Sequence, residues 1–221
     1  MTYSLLFQKM LILTLVPDLK MKLIKLLLAL SLTFTITIYL FPRTWELDLI
    51  ANLQKDRNGW IVHFFQFVSD SKSLITVGIP VVLLIIGFMK RTPPLREKAF
   101  MILFSLALAG LLSIGVKKIV REPRPYEVDR RITQLSGGGG YGFPSGHTLE
   151  AVAATSMISL VWPELLIIWA SAMWVMLIMA SRIYLGVHDP GDVMGGFFLG
   201  LLSTFAVVRI RDYVRQAKAN A

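Results

Sequence analysis

The chain contains no cysteine, which excludes disulfides and thiolate metal sites. Charge is also scarce: only 17% of its 221 residues are Asp, Glu, Lys or Arg, against 55% hydrophobic residues. Soluble domains carry about 25% charged residues. With a mean hydropathy of +0.63, the shortage points to a chain that crosses a membrane several times. Acidic residues are the scarcer sign, 14 against 23 basic ones, giving a net charge of +9. In a soluble protein such an excess suggests nucleic acid. Here most basic residues flank apolar runs, so membrane topology and anionic headgroups account for them, and no nucleic-acid partner is expected. No internal repeat occurs, and the sole low-complexity tract is the glycine run at 137–140. Histidine is rare too, with three in the chain.

Six apolar runs read as spans, at residues 23–41, 73–89, 99–116, 148–162, 165–183 and 193–208. An all-α, integral-membrane six-helix bundle follows, as one domain over residues 1–221. Several runs are short against a hydrocarbon core about 30 Å thick, so their helices must extend into flanking polar residues. The first apolar stretch, residues 4–17, lacks a basic start and a small-residue cleavage site. It therefore does not read as a cleavable signal, and residues 1–22 are expected to form an interfacial segment.

Basic clusters set the orientation. Lys9, Lys20, Lys22 and Lys25 surround the start of the first span, Lys90, Arg91, Arg96 and Lys98 separate the second from the third, and Arg209, Arg211, Arg215 and Lys218 follow the sixth. Six spans put all three clusters on one side, which the positive-inside rule makes cytoplasmic. The opposite side receives a long segment, 42–72, with Trp45, Trp60, Phe64, Phe65 and Phe67 for the interface. In a bacterium this is an inner-membrane protein whose outer face looks into the periplasm.

Two of the three histidines belong to spaced patterns: K-x6-R-P from Lys117 to Pro125, P-S-G-H from Pro144 to His147, and S-R-x5-H-x3-D from Ser181 to Asp192. Singly, each residue has a plain explanation. Lys117 and Arg182 suit helix ends where long cations snorkel, Ser145 suits an N-cap, and Asp189-Pro190-Gly191-Asp192 reads as a helix start. His63 lacks a partner pattern and reads as structural or interfacial. Jointly the patterned residues read differently, because all three patterns fall at the outer ends of the last four spans. Lys117, Arg124 and Arg182 can hold an anion over the amides of the fourth span's N-terminus at Gly146, with Ser145 adding a hydrogen bond. Asp192 lies four residues after His188 and can orient its ring for attack on phosphorus, while His147 protonates the leaving oxygen and later activates water.

These motifs resemble the signature of the type 2 phosphatidic acid phosphatase family, membrane lipid phosphatases that share a catalytic core with the vanadium haloperoxidases. The motif-bearing core spans 99–208, with every signature position filled. The resemblance implies a phosphohistidine at His188, His147 as general acid, no metal cofactor, and a phosphate cradle of Lys117, Arg124, Ser145, Gly146, His147 and Arg182. It also implies a lipid phosphate monoester or diphosphate as substrate: undecaprenyl diphosphate, phosphatidylglycerophosphate, phosphatidic acid or lipid A. Transfer of the phosphoryl group to an acceptor lipid uses the same site. A catalytically silent scaffold or transporter is the reading from another class, and the intact histidines and Asp192 count against it. Two features fall outside the signature. Glu150, one turn past His147 in an apolar span, has three roles open to it: tuning the general acid, binding headgroup atoms, or pairing with a cation. The glycine run is open to reading as a lid or as a permissive linker.

Overall fold

A computed structural model describes residues 21–220 apart from 23 and 39, so the expected interfacial segment lies outside the described residues except for its last two. The described residues are mostly helical, without a strand. In chain order come α1 (Ile24–Ile38), α2 (Thr44–Lys55), α3 (Gly59–Asp70), a π-helical turn at Leu74–Gly78, α4 (Ile79–Met89), α5 (Pro93–Val120), the short α6 (Pro125–Val128), α7 (Gly146–Val161), α8 (Leu165–Tyr184) and α9 (Pro190–Ala219).

Four helical runs, Gly59–Met89, Pro93–Val128, Leu165–Tyr184 and Pro190–Ala219, are long and apolar enough to cross a membrane. The protein is an integral membrane protein. Local chemistry fixes the ends of these helices. Pro93 and Pro94 open α5 where their missing N–H groups are no loss, and Arg121 closes it in the left-handed region at φ 54°, its N–H bonded to the Lys117 carbonyl. With 28 residues, α5 is about 42 Å long at about 1.5 Å per residue. That exceeds a hydrocarbon core about 30 Å thick, and Lys117 lies in the last turn of the helix. Helix α9 begins with a reciprocal cap in which Asp189 accepts the Asp192 N–H and Asp192 accepts back from Asp189, as its Asp-Pro-Gly-Asp start predicts.

At 16 residues α7 is short, and it is the centre of the bundle, packed by α5, α8 and α9. Its Ala151, Val152, Ala153 and Ala154 are almost wholly buried. Close approach by α9 depends on glycine: a Cβ on Gly196 would lie 2.6 Å from the Ser145 carbonyl oxygen, and one on Gly200 2.7 Å from that of Leu149. Small residues let membrane helices meet backbone to backbone. Outward-facing Phe100, Phe104, Leu111 and Ile114 of α5 and Leu166, Trp169 and Met173 of α8 are exposed, as lipid contact requires.

The second span begins earlier than the polar residues at 70–73 suggest. From Gly59 to Met89 the chain is one near-continuous helical run, interrupted by a turn at Ser71 and by the π turn. Lys72 does not end it, because its ammonium group is ion-paired with Glu150 of α7.

Candidate active site

All three sequence patterns meet at one end of the bundle. Lys117 comes from the last turn of α5, Arg124 from the link to α6, Ser145, Gly146 and His147 from the start of α7, Arg182 from the last turn of α8, His188 from the loop between α8 and α9, and Asp192 from the first turn of α9. The Ser145 N–H bonds to the Asp192 carbonyl at 2.9 Å, tying the α7 and α9 starts together.

At the centre, His188 Nδ1 lies 3.0 Å from Asp192 Oδ2, and both residues are buried. The carboxylate thus holds the Nδ1 proton, and Nε2 is left with its lone pair outward, 3.4 Å from Arg124 Nη1. His188 lies outside the spanning helices. Burial first, and then the charges of Arg124, Arg182 and Lys117, hold its imidazole well below the ordinary histidine value, so the ring is neutral near pH 7.

The cations are tightly held. Arg124 donates to the Gly140 and Gly139 carbonyls, each at 2.9 Å, and to that of Val187, also at 2.9 Å. Arg182 donates to Ser69 Oγ at 2.5 Å, Ser136 Oγ at 3.3 Å and the Gly137 carbonyl at 3.4 Å. Lys117 reaches the Tyr141 and Gly142 carbonyls at 2.5 and 3.2 Å. The glycine run is therefore bonded onto the cation cluster rather than being a free connection. Arg182 Nε and Asp192 Oδ1 are buried without a partner among the described residues, and an open guanidinium donor in a dry site suits an anion. The α7 N-terminus adds amides that lack intrahelical partners. Ser145 Oγ accepts from Thr148 Oγ1 at 3.1 Å, which leaves its own hydrogen for a further acceptor.

Several contributors have no signal in the motifs. Ser69 comes from α3. From α2 and the residue before it, Glu46 accepts the Gly191 N–H at 2.7 Å, and Arg43 bonds Asp189 Oδ2 at 2.8 Å and the Pro123 carbonyl at 2.8 Å. Burial, then the Asp189 charge, push the Glu46 carboxyl up to about 7. Glu122, Asp189 and Asp192 bring carboxylate oxygens within 4.8 Å of one another. Arg43 pairs with the first two and the His188 ring bonds the third, so each carboxylate of that cluster already has a partner. Glu150 pairs with Lys72, one of its three open roles. His63 is exposed on α3 beside Gln66, 3.3 Å away.

A model of the PAP2 superfamily matches residues 98–216, the stretch that carries all three sequence patterns. The chain belongs to the PAP2 superfamily. Among its relatives, an undecaprenyl-diphosphatase of Sulfolobus acidocaldarius is 31% identical over 62% of this chain and 64% of its own. A lipid A 4'-phosphatase of Porphyromonas gingivalis is 35% identical over 35% of this chain and 33% of its own. The matches thus span about two thirds and one third of those relatives' lengths. A crystal structure of a transmembrane PAP2-type phosphatidylglycerolphosphate phosphatase from Bacillus subtilis superposes with a TM-score of 0.70, over 86% of this chain and 96% of that one, at 22% identity. The PAP2 fold is therefore shared across nearly the whole described chain.

Proposed function

We propose that this PAP2 protein is a lipid phosphatase that works through a phosphohistidine on His188. The observation that carries the reading is the buried His188–Asp192 pair, whose free Nε2 faces Arg124 at 3.4 Å. Phosphate oxygens replace the carbonyls of residues 137–142 on Lys117, Arg124 and Arg182, and take hydrogen bonds from Ser145 and the Gly146 amide. His188 Nε2 attacks phosphorus and the bond from phosphorus to the lipid oxygen breaks. His147 gives its proton to that oxygen, and Asp192 stabilises the charged His188 ring. His147 then takes a proton from water as the water oxygen attacks phosphorus. The P–N bond breaks and inorganic phosphate leaves.

The relatives named for undecaprenyl diphosphate and for lipid A support a lipid phosphate as substrate, and the apolar exterior supports its entry from the bilayer. The basic clusters at the far end support a site on the outer face, which in a bacterium is the periplasmic side of the inner membrane.

The test is phosphate release from lipid phosphates by detergent-purified protein in EDTA, beside His188→Ala. Release by the wild type and a loss in the variant to background are expected. Inhibition by EDTA that magnesium reverses would overturn the metal-free reading. Full activity in His188→Ala would overturn the covalent one.

A further inference from the structure

Glu150 and Lys72 form an ion pair inside the membrane-spanning region, between α7 and the end of α3. Their side chains are 30% and 12% exposed, respectively, so the pair is partly desolvated. Replacing such a pair by apolar residues is often neutral or stabilising, which makes stability a poor reason for it. The backbone beside it is unusual as well. Leu74–Gly78 forms a π turn, a rare conformation that is frequent at functional sites. The turn packs against α7, and Thr76 Oγ1 bonds the Lys72 carbonyl at 2.9 Å. The same stretch of chain supplies Ser69 to Arg182.

The position of the pair gives it a use. Glu150 lies three residues after His147, one turn along α7, and Lys72 is ion-paired with it. Displacement at phosphorus is in line: the nucleophile His188 enters on one side and the leaving oxygen departs on the other, beside His147. A leaving group that extends one turn along α7 from His147 reaches Lys72. If the leaving group is an alcohol, it needs a proton there, which His147 supplies. If it is a phosphate monoester, it carries two anionic oxygens beyond the bridging one and needs a cation.

We propose that Lys72, held in place by Glu150, binds the lipid-proximal phosphate of the leaving group, so that the site selects a lipid diphosphate over the corresponding monophosphate. This rests on the phosphatase reading above. The bond broken is that between the terminal phosphorus and the bridging oxygen, and the products are inorganic phosphate and the lipid monophosphate. Lys72 stabilises the negative charge that the bridging and proximal oxygens gain as that bond breaks. In the free protein Glu150 takes the ammonium group, keeping the cation neutralised in the bilayer.

The test compares farnesyl diphosphate with farnesyl monophosphate, whose identical tails cancel, by the ratio of their kcat/KM values. The double variant Lys72→Met/Glu150→Gln removes both charges and so leaves no unpaired one in the membrane. The wild type should favour the diphosphate, and the variant should lower the ratio about tenfold or more, as loss of one charge-assisted hydrogen bond predicts. Lys72→Arg should retain the preference. An unchanged ratio in the double variant, including a parallel loss on both substrates, would overturn the proposal, as would a wild type without preference. A wild type that releases phosphate from neither substrate would instead overturn the phosphatase reading itself.

Discussion

At the scale of single residues, the proposed chemistry depends on the protonation state of His188 and on which ring nitrogen is free. Asp192 fixes the second by taking Nδ1 at 3.0 Å. An amide at that position can present its N–H group to the ring and favour the wrong tautomer, so Asp192→Asn should fold and yet lose kcat by a factor on the order of 10³ to 10⁴. Normal turnover in that variant would remove Asp192 from the mechanism. The protonation state gives a pH dependence whose sign is determined. With its folded-state pKa depressed by burial and neighbouring cations, His188 stays an unprotonated nucleophile as pH falls past the ordinary histidine value of about 6.5. The acid limb of kcat/KM assigned to His188 should therefore lie below pH 6.5, and a limb centred at or above 6.5 would contradict the buried, cation-flanked setting.

At the scale of elements, the close contact of α7 with α9 positions Ser145 against Asp192. Gly200→Ala places a Cβ 2.7 Å from the Leu149 carbonyl oxygen and from Val152 Cβ, and overpacking of this kind costs about 1–3 kcal/mol. Gly110→Ala on α5 meets nothing within 4 Å, so it should hold or raise Tm through its better helix propensity. Thermal unfolding in detergent separates the two, and equal Tm values would mean that the α7–α9 contact yields without strain. The same elements show what the sequence made legible. The last four apolar runs match α5, α7, α8 and α9 because lipid-facing helices are apolar along their length, and the Asp189 cap was readable because its partners are three residues away. The patterned residues sat at helix ends for the same local reason. Ser69, Arg43, Glu46 and Lys72 were not legible as parts of the site, since each acts on a residue between 78 and 146 positions away in the chain. A lysine in a polar stretch also reads as the edge of a span until its partner is known. Glu150, singled out as an acid in an apolar run, was the one visible half of that pair.

At the scale of the whole molecule, the bundle has two chemically different ends. Lys98 lies 4.7 Å over the ring of Trp162 and Arg215 bonds Glu97 at 2.5 Å, so the start of α5, the end of α7 and the end of α9 meet at one end. The phosphate-binding candidates occupy the other, with Gln54 of α2 bonded to the Tyr184 and Thr133 carbonyls there. Cations are present at both ends, against the simple expectation for an outer face. At the site end Arg124, Arg182 and Lys117 are engaged by backbone carbonyls and hydroxyls, while Lys118, Arg121 and Arg130 are exposed there, as Lys90, Arg91, Arg209 and Lys218 are at the other end. The clusters that flank the spans at the second end fit the positive-inside pattern, and a bound anion accounts for the cations at the site end, so the second end should be cytoplasmic. The lack of native cysteine makes this directly measurable. In intact cells, Lys55→Cys, beside Gln54, should react with a membrane-impermeant maleimide, whereas Lys218→Cys should react only after permeabilisation. The reverse pattern would turn the site inward and require its lipid phosphate to be presented from the cytoplasm.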